Sequence, residues 1–154
     1  MQGNGFNSFG LQDFVVLYVD DEPANLGAFR AAFRRDARIM TADSVEESME
    51  ILRSGCVDLL VTDHRMPEAM GLELLQRIAD DFPDLDRVMV TAYVDLDLVK
   101  SAINLGRVKW FLEKPWNPAE VRQIIRKTYR EGIARDMRRM QILELTQKEV
   151  TTRA

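Results

Sequence analysis

The chain has 154 residues, 46% hydrophobic and 30% charged, with 21 Lys+Arg against 25 Asp+Glu for a formal net charge of −4. At this length folding buries roughly 70% of the surface an unfolded chain exposes, so one core carries the fold without metal or disulfide staples. The lone cysteine, Cys56, and lone histidine, His64, exclude an intramolecular disulfide, a multi-cysteine zinc site and a multi-histidine metal centre.

Residues 1–12, with Gly3, Asn4, Gly5, Asn7 and Gly10, read as a flexible leader. They lack the basic and apolar regions of a signal peptide, and no later stretch approaches the ~20 apolar residues of a membrane span, so a cytoplasmic chain with no membrane contact is expected. Five short β-type runs follow: Phe14 to Val19, Arg38 to Ala42, Val57 to Thr62, Arg87 to Thr91 and Lys109 to Leu112. Helical stripes separate them, through Leu26, Phe29 and Phe33, then Val45, Met49 and Leu52, then Leu72, Leu75, Ala79 and Phe82, then a weaker one through Leu98, Ala102 and Ile103. Ser44 with Glu47 reads as a capping box, and Asn117-Pro118 with Glu120 as an N-cap, a proline at the first helical position and a second box. Strict alternation of strands and helices predicts an α/β fold: a doubly wound five-stranded parallel sheet of flavodoxin-like order 2-1-3-4-5. The last helix runs from Pro118 to about Glu149, longer than the sheet requires, with Gly132 as a weak point. The predicted division is 1–12 leader, 13–131 domain and 132–154 helical extension or linker.

Charge is unevenly spread. Residues 1–118 hold 12 basic and 20 acidic side chains, whereas 119–154 hold 9 basic and 5 acidic. An acidic body thus carries a basic helix, which is either a solvated face or a docking surface or nucleic-acid contact.

In a doubly wound sheet the chemistry sits outside the carboxyl ends of the strands. Here four of those ends deliver Asp20-Asp21, Asp63, Thr91 and Lys114. Two carboxylates about 4 Å apart repel by roughly 4 kcal/mol at an effective dielectric of 20, so such a set calls for a cation or a shifted pKa. Hard oxygen ligands suit Mg²⁺, which would also neutralise a phosphoryl group. An Asp-Asp pair is often only a turn; the convergence of four strand ends on one edge is what favours a site.

These residues resemble the receiver domains of two-component response regulators. The resemblance is carried by Val19-Asp20-Asp21-Glu22, by Leu59 to Pro67 with Gly71 beyond, by Val88-Met89-Val90-Thr91-Ala92 and by Phe111-Leu112-Glu113-Lys114-Pro115, and covers about Val15 to Arg130. It implies that Asp63 accepts a phosphoryl group from a phosphohistidine on a partner histidine kinase or phosphotransfer protein. It also implies Mg²⁺ on Asp21 and Asp63, with Asp20 mainly through water and the carbonyl of Arg65 as a further ligand. Lys114 and Thr91 would contact phosphoryl oxygens, the amides of His64 and Ala92 would serve a third, and Lys114-Pro115 would be cis. Thr91 and Phe111 would form the switch that alters the face of the fourth helix, fifth strand and fifth helix, Phe111 standing where the family often has tyrosine.

Other residues read more plainly from the sequence. Cys56 is expected to be a small buried apolar residue, Trp116 to cover its loop, and Arg65 and Tyr93 to modulate water access. A Mg²⁺-dependent phosphatase with an aspartyl nucleophile is the rival enzyme, but it wants a carboxylate where Arg65 stands. A nucleic-acid-binding regulator rests on the basic tail alone. The leading expectation is a signalling switch, not an enzyme beyond accepting and losing its own phosphoryl group. It would act on an output domain or protein partner, and Ile133, Met137 and Met140 could pair two copies.

Overall fold

The apolar runs become five strands, β1 (Val15–Val19), β2 (Arg38–Ala42), β3 (Leu59–Asp63), β4 (Asp86–Thr91) and β5 (Trp110–Glu113). In the computed structural model, which describes residues 10–65, 71–93, 95–105 and 107–153, they form one parallel sheet in the order β2-β1-β3-β4-β5. The helices between and after them are α1 (Pro23–Phe33), α2 (Val45–Arg53), α3 (Gly71–Ala79), α4 (Leu96–Asn104) and α5 (Pro118–Arg153). The expected fold and strand order are therefore observed. The third strand starts two residues later than expected because Asp58 leaves the ladder: its amide donates to the Val15 carbonyl at 2.9 Å and its carboxylate accepts from the Val15 amide at 2.8 Å. The same strand runs one residue further and ends on Asp63.

Strand side chains alternate between the two sheet faces. On one face Leu17, Val19, Leu60 and Met89 pack with Met49 and Leu52 of α2, Leu74, Leu75 and Ile78 of α3, and Ala102 of α4. On the other, Val16, Tyr18, Val61, Val88, Val90 and Leu112 pack with Phe29 and Phe33 of α1 and Val121, Ile124 and Ile125 of α5. Burial on both faces explains why the strands read as continuous apolar runs.

Helix ends follow their sequence signals. The Ser44 hydroxyl accepts from the Glu47 amide at 3.2 Å, while the Glu47 carboxylate returns to the Asp43 amide at 2.8 Å, one residue earlier than a simple capping box. Asn117 Oδ1 accepts from the Ala119 amide at 2.9 Å, and Asp95, which the periodicity did not single out, caps α4 by accepting from the Leu98 amide at 2.7 Å. The Lys114–Pro115 peptide is cis.

Some packing expectations are corrected. Leu74 and Ile78 join Leu75 and Ala79 in the core, while Phe82 is only partly buried and Leu72 lies outside the described side chains. Ile103 is exposed, because it lies a third of a turn from buried Ala102 on a helix with one narrow inner face. Cys56 is exposed rather than buried: α2 stops at Arg53, Gly55 reverses the chain with φ 78°, and Cys56 follows in the surface connection. Of the expected leader, residues 1–9 lie outside the described residues, and Leu11–Asp13 form a 3₁₀ turn. Met66 and Pro67 also lie outside the described residues.

Helix α5 runs unbroken through Gly132 for 36 residues, about 54 Å at 1.5 Å per residue. Its middle is pinned to the body. Lys109 pairs with Glu131 and Asp86, Arg135 with Asp86 at 3.6 Å, and Arg139 with Asp84. Ile133, Met137 and Met140 are exposed. Among the described residues no helix is long and apolar enough to cross a membrane.

Phe33 is fully buried, whereas Ser44 contributes one capping bond. Urea unfolding is expected to find Phe33→Ala less stable by about 3–5 kcal/mol and Ser44→Ala by about 1 kcal/mol; equal losses would contradict the packing described.

Candidate functional site

Asp20 follows the end of β1 and has no solvent exposure. It stays charged through four donors. The Tyr18 hydroxyl reaches Oδ2 at 2.8 Å, Asn25 Nδ2 at 3.0 Å and Lys114 Nζ at 3.0 Å, while the Glu22 amide reaches Oδ1 at 2.9 Å. Burial pushes the Asp20 carboxyl up, but the Glu22 amide, Lys114 and Tyr18 outweigh it and leave it below the usual carboxylate range.

Asp63 ends β3, nearly buried, and Lys114 Nζ lies 3.1 Å from its Oδ2. One ammonium thus bridges two carboxylates. For Asp63 the balance falls the other way: burial, with the nearby charge of Asp20, holds its carboxyl above the usual range despite Lys114 and the Arg65 amide. Lys114 is raised, since its hydrogen bonds to Asp20 and Asp63 outweigh its desolvation. Asp21 is exposed beside them, and oxygens of Asp20, Asp21 and Asp63 all lie within 4.8 Å of one another. The strand-end carboxylates and Lys114 are brought together as the sequence predicts.

Thr91, at the end of β4, is buried, and its hydroxyl is engaged locally, donating to the Tyr93 carbonyl at 3.0 Å and accepting from the Tyr93 amide at 3.2 Å. Tyr93 is itself exposed. Phe111 is half-buried against the core on the sheet face covered by α2, α3 and α4. Arg65 is exposed, and its amide hydrogen-bonds the Asp63 carboxylate. The His64 amide, expected to face a phosphoryl oxygen, is taken by the Val90 carbonyl at 2.8 Å, because the β3–β4 ladder extends one residue past Asp63. The Arg65 amide is the one that turns toward Asp63. Burial, with Arg65 nearby, lowers the His64 imidazole pKa, and its Nδ1 is enclosed without a partner.

Two site residues were missed from the sequence. Tyr18 shares a strand face with Val16 and, just past β1, Asp20, and reads as core; Asn25 reads as an ordinary residue of α1. The usable signal was spacing: i+2 on a strand puts Tyr18 on the same side as Asp20. Trp116 does more than cover its loop, since its ring packs at 5.6 Å on Phe29 and 5.3 Å on Phe33.

The donor set fits a small hard divalent cation. Carboxylate oxygens gather at one edge, two of the three residues are not saturated by four protein donors as Asp20 is, and soft ligands are lacking from the group.

The family described as the response regulator receiver domain matches residues 16–126. The hydrogenase transcriptional regulatory protein HoxA of Cupriavidus necator is 27% identical over 129 residues, covering 83% of this chain and 27% of that protein. The response regulator protein PilR of Pseudomonas aeruginosa is 34% identical over 113 residues, covering 71% and 25%. The chain therefore spans about a quarter of the length of these curated relatives. The signal receiver domain of an HD domain-containing protein from Pseudomonas fluorescens Pf-5 superposes with a TM-score of 0.74 at 26% identity, covering 79% of this chain and 98% of that one.

The raised Asp63 carboxyl gives a signed pH dependence. A carboxyl whose folded pKa lies above its unfolded value stabilises the fold fully below the unfolded pKa, and that contribution is lost as pH rises through the folded one. In metal-free buffer, Asp63→Asn is expected to melt above the wild-type chain at neutral pH, with the gap closing as pH falls toward about 4. A wild-type chain that melts higher at neutral pH would contradict this.

Proposed function

The chain belongs to the response regulator receiver domain family, and from that membership we propose that it is a phosphorylation switch whose acceptor is Asp63. The observation that carries the reading is Lys114 Nζ held between Asp20 and Asp63 beside a three-carboxylate group. An Asp63 oxygen attacks the phosphorus of a phosphohistidine on a histidine kinase or phosphotransfer protein. A P–O bond forms, the P–N bond breaks, and the imidazole nitrogen leaves with the bonding pair. Asp21 and Asp63 would hold Mg²⁺, with Asp20 through water and the Arg65 carbonyl, and its charge would offset that of the phosphoryl oxygens.

The chain's own residues supply positioning and charge. Lys114 trades its contact with Asp63 for a phosphoryl oxygen. The Thr91 hydroxyl leaves the Tyr93 backbone to donate to another, and the half-buried Phe111 ring turns into the space this opens. The result is a shift in population on the α4-β5-α5 face. Regulators among the relatives are about three times as long as this chain, and α5 extends well past the sheet; both support an output domain or partner addressed through that face and helix. A cytoplasmic location accords with this role.

The rival readings lose support at named residues. Arg65 leaves the phosphatase without its acid/base carboxylate. Arg135 and Arg139 are partly neutralised by Asp84 and Asp86, which removes part of the basic surface a nucleic acid would need. The exposed Ile133, Met137 and Met140 are the surface through which two copies would pair.

Intact-mass analysis after incubation with acetyl phosphate and Mg²⁺ is expected to give a Mg²⁺-dependent phosphoryl adduct that Asp63→Asn abolishes. No adduct, or one on another residue, would sink the assignment. In light scattering, association that rises with concentration is expected, and a monomer throughout, phosphorylated or not, would remove the pairing of α5.

A further inference from the structure

Asp20 is more heavily capped than the site's chemistry demands. A carboxylate offers about four lone-pair sites, and here three donors crowd Oδ2 while one occupies Oδ1. Lys114 serves the site, and the Glu22 amide is backbone. Tyr18 and Asn25 are the additional donors, both aimed at the same oxygen.

Tyr18 is built for this task. It is fully buried, its ring stacks on Phe29 with centroids 4.1 Å apart and planes 16° apart, and the Trp116 side chain hydrogen-bonds its hydroxyl. Trp116 in turn packs its edge on Phe29. The phenol is thus held by Phe29 on one face and by Trp116 at its oxygen, and its proton is donated to Asp20 Oδ2 at 2.8 Å.

We propose that Tyr18 is a positioning residue that, with Asn25, caps Asp20 Oδ2, confines Asp20 to water-mediated contact with the divalent cation and thereby weakens Mg²⁺ binding. The inference rests on the metal-dependent switch proposed above and deepens it. A donor that stabilises the carboxylate competes with the cation for the same electron pairs, so the protein holds the site at lower affinity than three free carboxylates would give. The same competition loosens the grip of Asp20 on Lys114, which must be free to turn to a phosphoryl oxygen.

The test is calorimetric titration of Mg²⁺ into the metal-stripped chain, with no phosphoryl donor present. Tyr18→Phe keeps the ring stack and removes the proton; it is expected to tighten Mg²⁺ binding by roughly three- to tenfold, the scale of one net hydrogen bond. Asn25→Ala, on the half-buried start of α1, is expected to act in the same direction and decides the matter alone if Tyr18→Phe does not fold. A merely structural role would lower the melting temperature and leave the affinity unchanged. Folded variants whose Mg²⁺ affinity is unchanged or weaker overturn the proposal while leaving the switch intact. A wild-type chain that takes up no Mg²⁺ overturns the switch reading itself, and this inference with it.

Discussion

Asp20 is a negative charge with no contact to solvent, and the carboxyl-end edge of the sheet is organised around keeping it ionised. Removing a carboxylate from water costs several kcal/mol unless partners replace the lost hydration. Those partners come from three parts of the chain: Tyr18 from β1, the Glu22 amide and Asn25 from the start of α1, and Lys114 from beyond β5. Satisfying one buried charge therefore fixes how α1 leaves the sheet and where the chain after β5 must lie. Lys114, once drawn to Asp20, falls within 3.1 Å of Asp63, and the site is assembled as a consequence.

Strand order makes this possible. With β1 beside β3 and β5 on the far side of β4, a long flexible ammonium is the group that can span from β5 to both carboxylates. Alternation then sorts the roles. Tyr18 and Asp20, Val61 and Asp63, and Leu112 and Lys114 continue the side of the sheet that meets α1 and α5, whereas Met89 and Thr91 continue the side that meets α2, α3 and α4. Thr91 therefore approaches from the opposite side, with its hydroxyl held by the Tyr93 backbone and Phe111 packed on that same side.

Most of this was legible in the sequence, because buried strands write themselves as apolar runs and strand ends can be counted. The strand order, the cluster of Asp20, Asp21, Asp63 and Lys114, and the helix starts at Ser44 and Asn117 followed from pattern and spacing. The misses share a cause: they depend on which of several plausible partners a group meets in three dimensions. Tyr18 looks like core until its hydroxyl is seen on Asp20. The His64 amide looks free until the ladder to Val90 is seen to run past Asp63. Cys56 and Ile103 have apolar character, but a turn and a narrow helix face leave them outside. The uneven charge was visible as numbers, yet not its use: Asp84 and Asp86 of the acidic body hold Arg135 and Arg139 of the basic helix, so part of the asymmetry is an internal clasp.

That clasp ties the middle of α5 to the sheet through Asp84 and Asp86, although exposed ion pairs of this kind each contribute little to stability. What the site depends on most is the position of one ammonium group, Lys114 Nζ between Asp20 and Asp63. A crystal structure of the chain loaded with Mg²⁺ and beryllofluoride tests it most directly. The expected result is the fluoride adduct on Asp63, Lys114 Nζ moved from the Asp63 carboxylate to a fluorine, and Asp20 still held by Tyr18 and Asn25. An adduct elsewhere, or a Lys114 that remains between the two carboxylates, would contradict it.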